Sequence, residues 1–312
     1  MRTKLDLDGI IPATVTPMDA DAEVDEKQLR GYIKWLNSYK GLKGLAVNMD
    51  TGEGPHLTDP EKRRIVEIYK QELGDSLPVL AGVSGRSTRE AVEQARMYRE
   101  AGADALVVFP PPVFAGAALG PKIPVAYHEA IAEASGLPIV LFQLQPALAG
   151  AIFSEETLLA LCRVKGAVAL KEASFDAVTF MRTAEIIKKA DRPIALLTGN
   201  DNFIYESFLL GATGALIGFG TLAIREQIEM HRAAMEKNYE RGLELWLKVK
   251  QLADVVFGVP VRDYRARTKA ALVEQGVITS AKMRPPLFEV EPAERERVRA
   301  ALHTVNPAPG SR

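Results

Sequence analysis

Short apolar segments alternate with longer amphipathic segments through most of this chain. The apolar segments are rich in Val, Ile, Leu and Ala, a composition typical of buried β-strands. The segments between them repeat apolar residues at helical spacing, and several follow a capping residue such as Thr58 or Ser154. The predicted strands are 10–15, 44–48, 78–81, 105–109, 138–142, 167–170, 194–197 and 215–217. The predicted helices between and after them are 26–36, 60–72, 88–101, 123–134, 155–162, 176–189, 203–210 and 224–235.

Eight strand–helix units in succession favour a parallel sheet that closes into a barrel. An open, doubly wound sheet uses similar units, so the number of units alone does not exclude it. Beyond the closing helix, residues 239–257 and 262–275 keep a helical apolar spacing. We therefore predict an α/β protein with a (β/α)8 TIM barrel over residues 1–236 and a C-terminal helical extension, packed on the barrel, over residues 237–312.

Composition and charge narrow the class of partner. The 312 residues are 47% hydrophobic and 25% charged with a net charge of -1, which excludes long disorder and gives no electrostatic reason to bind nucleic acid or a membrane surface. We therefore expect a small-molecule partner. Cys162 is the single cysteine, so we expect a packed thiol and a reducing cytoplasm. The first residues contain no apolar signal core, and no apolar run is long enough to span a bilayer.

Lys171 interrupts an apolar run, because it follows Ala167-Val-Ala-Leu170 and precedes Glu172. Burial of an unpaired ammonium group is costly, or it forces the amine to lose its proton. A neutral lysine is a nucleophile that can condense with a ketone or aldehyde to form a Schiff base. The alternative is a lysine at a strand end that reaches solvent, and this segment alone does not decide between the two.

In a barrel of this type the chemistry lies at the C-terminal ends of the strands. Lys171 falls at such an end, and so does the turn with Thr51 and Gly52, whose hydroxyl and backbone amides suit a carboxylate. Phe142 ends the predicted fifth strand, Gly199 follows the seventh, and Leu216 belongs to the eighth. Any one of these segments could be an ordinary loop, but together at one pole they predict a substrate site.

Several short motifs occur in a characteristic order and spacing: Thr14-Val-Thr-Pro17, Thr51-Gly-Glu53, Leu80-Ala-Gly-Val83, Gly102-Ala-Asp-Ala-Leu106, Leu170-Lys-Glu172, Gly199-Asn-Asp201 and Gly211-Ala-Thr-Gly214. In these the chain, from about Gly9 to Leu287, resembles the family of dihydrodipicolinate synthase and N-acetylneuraminate lyase, which are pyruvate-dependent class I aldolases and dehydratases. The resemblance implies that Lys171 forms a Schiff base with a 2-oxo acid, typically pyruvate, whose carboxylate the Thr51 turn holds. It also implies a homotetramer assembled from dimers.

The chain departs from the family pattern at the positions that move protons. The family normally places a tyrosine at the end of strand five, where this chain has Phe142. The resemblance places the family's second tyrosine at position 112, where this chain has a proline. Met49 and Asp50 replace the first glycine and first threonine of the family's Gly-Thr-Thr-Gly-Glu turn. The arginine that follows the strand-five proline is also absent after Pro146. We therefore do not expect authentic dihydrodipicolinate synthesis.

Asp50 is the candidate for the missing acid–base group. A carboxyl group in a partly dry barrel mouth can have its pKa raised into a useful range. The alternative is an aspartate that caps the turn by accepting hydrogen bonds from backbone amides.

Two classes of function remain open. The first is a Schiff-base-forming lyase, an aldolase or dehydratase, in which Lys171 and Asp50 are catalytic and Thr51, Gly52, Phe142, Gly199 and Leu216 bind the substrate. The second is a degenerate member of the family that binds a 2-oxo acid with little or no turnover. We expect no metal and no cofactor, because the four histidines are widely scattered and show no ligand spacing.

Overall fold

Eight parallel strands form the centre of the molecule in the computed structural model, which describes residues 5–116 and 119–305. The strands are β1 (Ile10–Pro12), β2 (Leu45–Val47), β3 (Val79–Val83), β4 (Ala105–Val108), β5 (Ile139–Leu144), β6 (Ala167–Ala173), β7 (Ala195–Thr198) and β8 (Gly214–Ile217). From β2 to β8 each strand pairs with the next, and β8 pairs with β1. A parallel bridge between Ala13 and Ala46 then joins β1 to β2. The predicted (β/α)8 barrel is therefore confirmed.

Helices surround the barrel and continue beyond it. They are α1 (Glu26–Asn37), α2 (Asp59–Leu73), α3 (Thr88–Glu100), α4 (Lys122–Ser135), α5 (Glu155–Cys162), α6 (Ala177–Lys188), α7 (Ile204–Leu209), α8 (Ile224–Met235), α9 (Tyr239–Val256), α10 (Tyr264–Glu274) and α11 (Pro292–Val305). The predicted caps form, since the Thr58 side chain accepts from the Glu61 amide and the Ser154 side chain from the Thr157 amide. The ends of the two predicted segments, residues 1–4 and 306–312, lie outside the described residues.

The side chains of each strand point alternately into the barrel and toward the surrounding helices. Ala169, Lys171 and Ala173 point into the barrel, while Leu170 and Glu172 point outward, because side chains alternate along a strand. The barrel interior is filled by Ile11, Ala46, Leu80, Val107, Val140, Phe142, Ala169, Leu197 and Leu216. A larger apolar layer fills the space between the sheet and the helices. The one lysine of β6 therefore lies on the inner side of a closed sheet.

Two further expectations concern the rest of the chain. Cys162 is a buried, free thiol, as predicted, and burial raises its pKa to about 11. Of the helices in residues 5–116 and 119–305, none combines the length and the apolar character that crossing a membrane requires.

Candidate active site

Lys171 lies inside the barrel between β5 and β7. In the ladder it stands beside Phe142 on one side and Leu197 on the other, and only 7% of the residue is exposed. Its Nζ lies 4.2 Å from the centre of the Phe142 ring. The alternative of a lysine that simply reaches solvent is therefore wrong.

Gly199 makes room for the lysine side chain. A Cβ atom at this position would lie 2.7 Å from Lys171 Cε and 2.8 Å from Ala173 Cβ, closer than such atoms approach. The Gly199 amide also donates to the Glu172 carbonyl oxygen at 2.6 Å, which ties β7 to β6. Glycine is therefore needed here for close approach to Lys171.

The environment of Lys171 favours the neutral amine more than water does. Burial lowers the pKa of Lys171 to about 8, although the negative charges of Asp201 and Asp50 oppose this shift. Asp201 is 3% exposed, and its Oδ1 accepts from the Phe219 amide at 2.7 Å. Burial raises the pKa of Asp201 to about 7, against that hydrogen bond and the charge of Lys171. Burial therefore shifts the pKa of each group toward neutral pH.

Asp201 was not among the predicted site residues. It belongs to the Gly199-Asn-Asp201 motif, and its position just after an apolar strand, at the C-terminal end of the barrel strands, is the signal that could have found it. Its neighbour Asn200 turns away and donates to Glu172 Oε2 at 2.7 Å. Burial raises the pKa of Glu172 as well, although this carboxyl group faces the outer layer. Lys171 and Glu172 are thus adjacent in sequence but lie on opposite faces of β6.

The turn after β2 is built to a fixed shape. Gly52 is required because a Cβ there would lie 2.8 Å from the Thr14 carbonyl oxygen. The Gly52 carbonyl oxygen accepts from Thr16 Oγ1 at 2.8 Å, and the Gly52 amide donates to the Met49 carbonyl oxygen at 3.1 Å. Only 3% of Thr51, the residue before Gly52, is exposed. Gly52 therefore shapes the turn and uses its own amide within it.

Glu53 ends the turn in the left-handed region, with φ of 59°, and is completely buried. A non-glycine residue holds this conformation only where its surroundings fix it. The carboxylate forms a salt bridge with Lys269 of α10, also completely buried, and accepts from the Arg284 amide at 2.7 Å. The Lys269 ammonium group donates in addition to the Lys282 carbonyl oxygen at 2.7 Å. The C-terminal extension thus fixes the turn.

Asp50 is bound by side chains from α10. Its Oδ1 accepts from Arg265, and its Oδ2 accepts from the Tyr264 hydroxyl at 2.9 Å. Arg265 also donates to the Asp50 carbonyl oxygen at 2.9 Å. The alternative of a cap on backbone amides is therefore not the arrangement that this carboxylate adopts. One quarter of the Asp50 side chain is exposed, at 25%.

Tyr264 is a second residue that the sequence analysis missed. Its hydroxyl lies 3.2 Å from Thr51 Oγ1, and its ring stacks on Phe257 with the ring centres 4.7 Å apart. Burial, and then the charge of Asp50, raise the pKa of Tyr264 well above its usual range. The available signal was weak, because the sequence marks α10 as a helix but not the barrel end that it covers. The nine residues from Tyr264 to Leu272 are all buried, charged ones included.

The remaining predicted residues line the barrel interior. Phe142 is 2% exposed and makes an edge-to-face contact with Phe109, with 4.9 Å between the ring centres. Leu216 is completely buried in the same interior cluster. No hydroxyl group therefore stands at position 142 beside the amine. Within the described part of the chain, no cluster of three or more His, Cys, Asp or Glu side chains is arranged to hold a metal ion.

Comparison with known proteins agrees with this architecture. The model of the dihydrodipicolinate synthetase family matches residues 6–305. The 4-hydroxy-tetrahydrodipicolinate synthase of Methanothrix thermoacetophila is 32% identical over 268 residues, which cover 84% of this chain and 88% of that protein. The enzyme of the same name from Phocaeicola vulgatus is 31% identical over 298 residues, covering 95% and 96%. The crystal structure of the Acinetobacter baumannii dihydrodipicolinate synthase complexed with pyruvate superposes with a TM-score of 0.85, at 27% identity and with 97% and 99% of the two chains covered.

Proposed function

Because this chain belongs to the dihydrodipicolinate synthetase family, we propose that it is a lyase that forms a Schiff base between Lys171 and pyruvate or another 2-oxo acid. The observation that carries the proposal is the buried amine inside the barrel, whose pKa burial lowers to about 8. Such an amine is neutral often enough to attack a carbonyl carbon. Lys269, by contrast, forms a salt bridge with Glu53, and the described residues give Lys171 no such partner.

The proposed chemistry follows from the protonated imine. The iminium group withdraws electrons from the adjacent carbon more strongly than a ketone does, so that a proton or a carbon fragment can leave. Aldol cleavage, aldol addition and dehydration are all accessible by this route. In our proposal the substrate carboxylate lies at the Thr51 turn, where the backbone amide of Thr51 binds it, and Phe142, Gly199 and Leu216 form the wall of the site.

We further propose that the reaction is not dihydrodipicolinate synthesis. Phe142 and Pro112 stand where the resemblance implies the two relay tyrosines, and no arginine follows Pro146. Asp50 is then the acid–base group, because its carboxylate lies at the same barrel end as Lys171 and its charge acts on that amine. The absence of a hydroxyl at Phe142 favours the second candidate, a family member that binds a 2-oxo acid with little turnover.

Borohydride reduction in the presence of pyruvate, followed by intact-mass measurement, tests the covalent step. We expect a stable adduct on Lys171, located by peptide mapping, and none on the Lys171→Met variant. Lys269→Met is unsuitable as a control because it breaks a buried ion pair, whereas Lys248→Met changes an exposed surface lysine and is expected to keep the adduct. An unmodified wild-type protein over a panel of 2-oxo acids refutes the proposal. Turnover of a candidate aldol or hydroxy acid then separates the lyase from the binding protein.

The homotetramer and the cytoplasmic location stay predictions. Light scattering on the protein as it elutes from a size-exclusion column tests the homotetramer, and we expect a mass of four times 34.0 kDa. Fractionation of the source cells tests the second.

A further inference from the structure

We propose that Tyr264, which reaches the barrel mouth from α10, relays protons for imine formation at Lys171. This inference rests on the proposed function above, in which no phenol stands beside Lys171 at position 142. The phenol expected after strand five is absent at Phe142, and Tyr264 supplies a phenol from a different part of the chain.

The Tyr264 hydroxyl is the middle of a directed chain of hydrogen bonds. It donates to Asp50 Oδ2 at 2.9 Å and lies 3.2 Å from Thr51 Oγ1. A phenol has one hydrogen to donate, so the Thr51 hydroxyl must be the donor in the second contact. The chain therefore runs from Thr51 through Tyr264 to the Asp50 carboxylate, and each member can pass one proton to the next.

This chain lies at the same end of the barrel as the amine. A Cβ atom on Gly218, at the end of β8, would lie 3.0 Å from Tyr264 Cε2 and 3.2 Å from Thr51 Oγ1. The next amide, that of Phe219, binds Asp201, whose charge acts on Lys171. Thr51 is thus the inner end of the chain and Asp50, one quarter exposed, is the outer end.

The charges around Tyr264 suit a group that transmits protons and does not store them. Burial and the Asp50 carboxylate raise its pKa well above the usual range, so the phenol returns to its protonated form after each transfer. Arg265 holds Asp50 through the side chain and the carbonyl oxygen and is itself 8% exposed. Arg265 is therefore a positioning residue that orients the acceptor.

Imine formation moves protons on and off the reacting groups, and this chain can carry them. The Lys171 ammonium group first gives one proton to Thr51, which passes its own hydrogen to Tyr264, and Tyr264 passes its hydrogen to Asp50. The neutral amine then attacks the carbonyl carbon, and a second nitrogen-bound proton moves to the carbonyl oxygen to give a carbinolamine. The proton on Asp50 returns along the chain to that hydroxyl group, which leaves as water. The third proton remains on the nitrogen of the protonated imine.

The test compares Tyr264→Phe with Tyr205→Phe in the full-length protein, with pyruvate and borohydride. Tyr205 is also buried, but its hydroxyl donates to the Tyr239 carbonyl oxygen between the outer helices. We expect Tyr264→Phe to slow adduct formation about 100-fold, the scale of one acid–base group, with the same final yield. We expect Tyr205→Phe to react at the wild-type rate. A solvent deuterium isotope effect on the wild-type rate should also be lost in Tyr264→Phe, which a purely structural role would not cause.

Each outcome decides a different point. An adduct that forms on Tyr264→Phe at the wild-type rate overturns the relay and leaves the proposed function intact. A wild-type protein that forms no adduct overturns both. If Tyr264→Phe does not fold, as judged by its thermal transition, Asp50→Asn replaces it, because asparagine keeps the shape but cannot take up the proton. A wild-type rate in a folded Asp50→Asn variant then overturns the relay.

Discussion

Replacement of Lys171 by methionine is expected to stabilise the protein at neutral pH. The side chains have similar length, and methionine can keep a sulfur–aromatic contact with Phe142. Lowering the pKa of the amine from 10.5 to about 8 corresponds to about 3 kcal/mol of stability lost on folding. The lost contact with Phe142 and the lost positive charge beside Asp201 reduce the gain, so we expect an increase of about 1 to 3 kcal/mol.

The stability difference between the two proteins should depend on pH in a defined direction. Below a pH of about 8 the lysine is charged in both the folded and the unfolded wild-type protein, and its full cost is present. Between about 8 and 10.5 the folded protein loses this proton first, so wild-type stability rises with pH and the difference narrows. Urea unfolding of both proteins at several pH values measures this. At ~2.1 cal/mol/K per residue, a gain of about 3 kcal/mol also raises the melting temperature by about 5 °C.

Lys269→Met is the matched variant, because Lys269 is also a buried lysine but forms a salt bridge with Glu53. Its loss leaves the Glu53 carboxylate buried with the Arg284 amide as its described hydrogen-bond donor. Removal of one partner of a buried ion pair costs about 3–5 kcal/mol, so this variant should be destabilised. A Lys171→Met protein that is less stable than the wild type, or a difference that stays constant from pH 8 to 10.5, refutes the reasoning about burial.

Substitutions at three further residues near Lys171 test other parts of the site. Gly199→Ala should reduce the rate of adduct formation at least 10-fold, the scale of a positioning effect, because the new Cβ displaces Lys171 Cε. Borohydride trapping measures this rate, and a rate equal to that of the wild type contradicts the prediction. Asp201→Asn removes a charge that raises the pKa of Lys171, so the midpoint of the pH–rate profile for adduct formation should move from about 8 toward lower pH, and a shift to higher pH contradicts the assignment. Glu172→Gln should leave the adduct rate within about twofold, the level expected away from the reacting groups, because Glu172 faces the outer layer.

The fold could be predicted from the sequence because each strand is buried on both sides. A run such as residues 105–109 has no polar face, so its strand character and its parallel pairing are both visible locally. The end of β6 was less visible, since the predicted strand stopped at Leu170 while β6 continues to Ala173. A lysine and a glutamate interrupt the apolar pattern there, and only pairing with β5 and β7 carries the strand through them.

The site could be predicted only in part, because half of it depends on contacts between distant residues. Lys171 and Gly199 stand out as a charge in a strand and a glycine at a strand end. Tyr264 and Asp50 are 214 positions apart, and no local pattern indicates that α10 reaches the turn after β2. Helical spacing identifies an element, whereas the direction in which an appended helix packs is set by three-dimensional complementarity.

The salt bridge between Glu53 and Lys269 determines when, during synthesis of the chain, the turn after β2 can be completed. A chain still emerging from the ribosome can complete all eight strands before residue 264 is made. At that stage the Glu53 carboxylate has no Lys269 to pair with. Asp50 likewise lacks its two hydrogen-bond donors, Tyr264 and Arg265. Lys171 and its neighbours in the barrel are therefore made early, whereas the α10 side chains that bind Glu53 and Asp50 are made last, so the turn after β2 gains these partners only when α10 is complete.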